Sequence, residues 1–79
     1  MHVDDHWDAA DMGCGELVLA LRQRLRAMPG QVLLLTATDP GAPEDLPAWC
    51  RMTGHQLLQA QHPRYWLQAR PAAPVTPAT

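Results

Sequence analysis

Gln31-Val32-Leu33-Leu34-Leu35-Thr36-Ala37 decides how this chain folds. It is a continuous apolar run, bounded by Gly30 on one side and Asp39-Pro40-Gly41 on the other, and that pattern suits a central strand covered on at least one face. Residues 31–37 are therefore expected in the middle of a sheet. Upstream, Cys14, Val18, Leu21, Leu25 and Met28 recur at steps of four, three, four and three, the spacing of one helical face, and Leu17 widens the stripe. Pro29-Gly30 stops this helix, because proline cannot continue it and glycine is free to take a positive φ. Ahead of the helix, residues 6–9 read as a short first strand with weak alternation.

Downstream of the apolar run, residues 39–43 form a rigid turn, and Glu44-Asp45 brings acid to the first turn of a second helix. Pro47 fits that helix only within its first turn, where the missing N–H has no intrahelical partner to lose. Leu46, Trp49 and Cys50 make the inner face, and Gly54 is the expected C-cap. Residues 55–61 and 65–69 read as two strands joined at His62-Pro63-Arg64, with Tyr65, Leu67 and Ala69 alternating. The order is strand, helix, strand, helix, strand, strand, and right-handed crossovers place both helices on one face. The expected fold is α+β, a two-layer βαβαββ sandwich whose other sheet face is partly open. Residues 1–5 are an N-terminal extension, 6–70 the domain, and 71–79 a Pro/Ala-rich tail expected to be disordered.

Seventy-nine residues make one small domain, with 47% hydrophobic residues to build a core. The formal net charge of -2 is mild but unevenly placed. Asp4, Asp5, Asp8, Asp11 and Glu16 crowd the start, whereas Arg22, Arg24 and Arg26 follow on the first helix. Arginines in the C-terminal half of a helix are what its dipole favours, and a solvated face accounts for them. Basic-aromatic interleaving is missing, so direct contact with nucleic acid is not expected. Neither a leader-like apolar region at the N-terminus nor an apolar run of ~20 residues is present, which points to a cytoplasmic protein without a membrane span.

The chemistry concentrates at Cys14. It stands where Asp11-Met12-Gly13 runs into the first helix, and the first N–H groups of a helix lack intrahelical partners. Those groups and the macrodipole stabilise an anion, which lowers a thiol pKa; Asp11 and Glu16 oppose the thiolate. Gly13 and Gly15 flank the sulfur without side chains, which lets a bulky partner approach. Cys50, beside Trp49 on the inward stripe of the second helix, reads as core packing. His2, His6, His55 and His62 form no ligand cluster with a cysteine, so no structural metal site is expected. Asp8 and Asp11 lack an evident acid or base partner, and turn roles are commoner for such residues.

Asp8-Ala9 followed by Cys14, the helix over 18–26, the strand over 32–37, Thr38-Asp39-Pro40, Asp45-Leu46-Pro47, Trp49-Cys50 and Gly54-His55 resemble, in order and spacing, the TusA/SirA-like sulfur-carrier family. The resemblance covers residues 6–70. It implies a mixed four-stranded sheet in the order 1-2-4-3 and a persulfide carried on Cys14, the position matching the cysteine of the family's Cys-Pro-x-Pro motif. Here Gly15 and Leu17 stand where that motif has its prolines, and glycine at the first place has a higher ordering cost of roughly 1 kcal/mol. The expected function is a sulfur carrier that accepts a persulfide on Cys14 and relays it to another protein, with Asp11, Gly13, Gly15 and Glu16 shaping the site. Its donor would be a protein such as a cysteine desulfurase or a rhodanese. No cofactor or metal is required, and a monomer is expected. Two other readings are an interaction module docking a partner through the open sheet face and Trp66, and a redox-sensing thiol at Cys14.

Overall fold

A computed structural model describes residues 2–71 and, of Cys14, the backbone. The elements are β1 (Asp5–Asp8), α1 (Cys14–Arg26), β2 (Val32–Thr36), α2 (Ala42–Thr53), β3 (Gln56–Gln61) and β4 (Arg64–Gln68). They build the expected α+β sandwich, with one four-stranded sheet ordered β1-β2-β4-β3. β1 runs parallel to β2, while β4 pairs antiparallel with both β2 and β3. The apolar run is thus a central strand, with Leu34 opposite His6 on one side and Trp66 on the other.

Alternation along β2 and β4 explains the two layers. Leu33, Leu35 and Ala37, with Tyr65, Leu67 and Ala69, point from the sheet into a single core that also holds Leu17, Leu21, Leu25 and Met28 of the first helical segment and Ala42, Leu46 and Cys50 of α2. Both helices therefore cover one face. The opposite face carries Val32, Leu34 and Trp66, half-buried and, among the described residues, without a second layer of helix or sheet above them. In α1 the inward stripe centres on Leu17 and Leu21, both fully buried, whereas Val18 is only half-buried. A continuation to Met28 survives past the end of the helix, because the chain turns there onto Gly30 at φ 76°.

Element boundaries differ from the sequence reading by a residue or two, and at the starts of β1 and α2 the cause is visible. β1 begins one residue earlier, at Asp5, because the chain ahead of it is already tied to β2: Val32 N–H donates to Asp4 Oδ2 at 2.8 Å and Asp4 N–H to the Val32 carbonyl at 2.8 Å. That backbone hydrogen bond, with His2 beside it, holds the Asp4 carboxyl below its ordinary range. Asp4 and Asp5 of the expected N-terminal extension thus join the sheet. α2 also begins early, at Ala42, because Gly41 N–H donates to Asp39 Oδ2 at 2.9 Å and Ala42 N–H to the Asp39 carbonyl at 3.0 Å. Pro43, not Pro47, occupies the first turn, and Pro47 lies inside the helix. The expectation for Pro47 is corrected accordingly: its missing N–H deprives the Pro43 carbonyl of a donor, a loss the helix bears near its start. Gly54 closes α2 at φ 84° as expected.

Two residues, His62 and Pro63, suffice to turn β3 into β4, since Arg64 already pairs with Gln61. A bulge between Leu57 and Gln59 breaks the alternation in β3 and leaves Leu58 exposed. Most of the Pro/Ala-rich tail, residues 72–79, lies outside the described residues.

Candidate functional site

Cys14 is the first residue of α1, and Gly13 is its N-cap with φ -67° and ψ 154°. Without a side chain, Gly13 offers no oxygen to the first helical N–H groups, and no side-chain hydrogen bond caps this helix. The carbonyl of Gly13 accepts instead from Leu17 N–H at 2.7 Å, which closes the first turn. The sequence expectation of a cysteine at an uncapped helix start is met by the backbone. An anion at that position faces the first amide groups of α1, to which the N-cap Gly13 offers no side-chain acceptor.

Both flanking glycines are exposed, and a Cβ added at either would meet nothing within 4 Å. Neither adopts a positive φ. The fold therefore does not demand glycine at 13 or 15. Gly15→Ala is expected to raise stability by about 0.5–1 kcal/mol, because alanine loses less backbone entropy in a helix, and a urea midpoint measures it. Asp11 and Glu16 are both exposed, Asp11 in the turn before the helix and Glu16 in its first turn.

What fixes the approach to Cys14 was not singled out in the sequence. Ala10 takes φ 52°, a left-handed conformation that costs a non-glycine residue roughly 1–2 kcal/mol. Three hydrogen bonds hold it there. Ala10 N–H donates to Asp8 Oδ1 at 2.8 Å, and its carbonyl accepts from Thr38 N–H at 3.1 Å and Thr38 Oγ1 at 2.8 Å. Asp8 is thus committed to a turn rather than to a carboxylate pair with Asp11. Thr38, two residues past the end of β2, pins the loop that leads to the cysteine, and only an Asp8-to-Ala10 turn signal is available locally to suggest it.

Cys50 belongs to the core. It is 4% exposed within the core, and burial pushes its thiol up to about 11. Raised above its ordinary value, the thiol keeps its proton in the folded state where the unfolded chain has released it. Stability is therefore expected to fall as pH climbs from 9.0 towards about 11, and the fall should vanish in Cys50→Ala, as denaturation midpoints at the two ends of that window will read. At neutral pH Cys50 should resist alkylation in the native state.

The arginines of α1 do not form one solvated face. Arg24 reaches back over β1, with its Nη1 3.4 Å from Asp5 Oδ2 and its guanidinium 4.7 Å above the Trp7 ring. Arg22 and Arg26 are exposed. Among the described residues no helix is long and apolar enough to cross a membrane, and no group of three or more His, Cys, Asp or Glu could hold a metal ion.

Fold and site together define a small two-layer α+β domain whose first helix begins at a cysteine. The profile described as Sulfurtransferase TusA matches residues 7–68, and the chain belongs to that family. It is 37% identical over 68 residues to the sulfur carrier protein TusA of Pseudomonas putida, covering 80% of this chain and 85% of the relative. The sulfur carrier protein TusA of Pseudomonas syringae is 36% identical over 73 residues, 86% of this chain and 87% of the relative. That of Pseudomonas aeruginosa is 34% identical over 73 residues, 86% and 92% of the two chains.

Proposed function

We propose that this chain is a sulfur carrier of the TusA type, with residues 6–70 as the carrier unit and Cys14 as the atom-bearing residue. The observation that carries this reading is the place of Cys14 at the start of α1, after an N-cap glycine that has no side chain and between two exposed glycines. Family membership adds the second support, since it implies protein partners engaged in sulfur relay.

In the first step the Cys14 thiolate attacks the outer sulfur of a donor persulfide. A new bond forms between Cys14 Sγ and that sulfur, the sulfur–sulfur bond of the donor breaks, and the donor leaves as a thiolate. The oxidised sulfur keeps its state throughout, so the exchange calls for no external oxidant. The terminal persulfide sulfur is anionic at neutral pH, and the first amide N–H groups of α1 would stabilise it. In the second step an acceptor thiolate attacks the same outer sulfur and Cys14 departs.

Gly13 and Gly15 leave room for two protein surfaces to close on the sulfur, and Asp11 and Glu16 supply charge at the rim. Gly15→Ala should accordingly slow loading while stabilising the fold. A donor such as a cysteine desulfurase or a rhodanese suits this exchange, and a free thiol as carrier suits the reducing cytoplasm. Incubation with a cysteine desulfurase, its pyridoxal cofactor and cysteine tests the reading. The intact mass should rise by one or more sulfur atoms and return to its starting value on reduction; no gain overturns it.

A further inference from the structure

A groove of about 410 Å3 runs between the two helices and the end of β4, lined by Arg22, Arg26, Trp49, Thr53, His55 and Arg70. Three of these six residues are arginines and none is acidic. Arg22 and Arg26 stand one helical turn apart on α1, so both side chains reach the same space. Among the described residues neither forms an ion pair, in contrast to Arg24 between them, which pairs with Asp5. Arg70 is oriented by its own chain, its Nη1 donating to the Thr53 carbonyl at 2.9 Å.

The groove also contains an immobilised donor. His55 is only 7% exposed, stacked on Trp49 with ring centroids 5.2 Å apart, and its Nδ1 accepts Arg70 N–H at 3.0 Å. A neutral imidazole that accepts at Nδ1 carries its proton on Nε2. We propose that this groove binds a doubly charged tetrahedral oxyanion, of the phosphate or sulfate class, held by the guanidinium groups of Arg22, Arg26 and Arg70 and by His55 Nε2–H.

The charge balance favours a dianion. Three guanidinium groups that make no ion pair among the described residues repel each other around one space, and a single carboxylate would leave most of that repulsion in place. The groups facing His55 are Arg70 beyond β4, Arg22 and Arg26 on α1, and the uncharged Trp49 and Thr53 on α2. Burial first, and the Arg70 charge second, hold His55 below its ordinary range. A bound dianion would offset that field and move the imidazole back upward. The site is separate from the start of α1, because Arg22 lies about 12 Å along the helix axis from Cys14. Its occupancy does not depend on the sulfur-carrier reading.

The test is an NMR titration of the full chain with sodium phosphate and, separately, sodium sulfate, with ionic strength held constant by chloride. The His55 ring signals should shift saturably with both anions, and the His55 pKa should rise when phosphate is present. Arg22→Gln and Arg26→Gln should each weaken phosphate by about tenfold or more, and the double variant should lose the His55 pKa response. Both positions are exposed, so the variants keep the core intact, which amide dispersion will verify. Shifts that never saturate, an affinity unchanged in the double variant, or acetate saturating as tightly as phosphate would each overturn the proposal.

Discussion

Cys14→Ser is expected to take up no sulfur at all from a cysteine desulfurase, while Cys50→Ser loads as fully as the wild type. The difference is a matter of placement. Serine is close in size to cysteine and Cys14 begins a helix whose first turn is closed by backbone, so the substitution leaves the Leu17 N–H to Gly13 carbonyl bond at 2.7 Å untouched. It removes only the nucleophile, since an alkoxide is not available near neutral pH and an oxygen cannot form the sulfur–sulfur bond. Cys50 is sealed in the core with its thiol pushed up to about 11, and a protonated, covered sulfur cannot attack a donor. Intact mass after loading reads both variants. Sulfur found on Cys14→Ser, or lost from Cys50→Ser while that variant remains folded, would refute the assignment of the relay to Cys14.

Leu17→Ala is expected to destabilise the domain by about 2–5 kcal/mol, the range for deleting a buried leucine side chain. Leu17 is fully buried and belongs to the single core shared by both helices and the sheet. A domain of this size has a total stability at the low end of roughly 5–15 kcal/mol, so the loss should lower the thermal midpoint by about 10 °C or more. The position has a second meaning. The TusA-like motif has proline here, a residue that stiffens the helix entry through its fixed φ. This chain holds the same turn by other means, a core leucine and the hydrogen bond that proline could not donate. Thermal unfolding of Leu17→Ala beside Leu19→Ala measures this, because Leu19 is 63% exposed and its truncation should cost far less. Equal losses at the two positions would show that Leu17 is not the anchor.

Much of the fold was legible along the chain. The apolar run around Leu34, the stripe from Leu17 to Met28, the Gly30 and Gly54 breaks and the alternation of Tyr65, Leu67 and Ala69 each report a local period or a backbone preference, and each landed on the element it implied. Cys14 at the start of α1 was legible for the same reason. Pro47 was misplaced because a helix start depends on which turn caps it, and Asp39 moved that start to Ala42. β3 concealed its bulge because polar and apolar residues mix there without a clear period.

The amino-acid order by itself determined the elements, their sequence and the thiol at a helix start, since propensity, periodicity and chain-breaking residues act over a few neighbouring positions. Only tertiary structure decided which long-range partners meet. Thr38 holds Ala10 in place across 28 positions of chain, Arg24 turns to Asp5 and Trp7 while Arg22 and Arg26 face a groove, and Arg70 finds His55. Those encounters follow from strand order and helix rotation, which are set by how the whole core packs and leave no periodic mark along the chain.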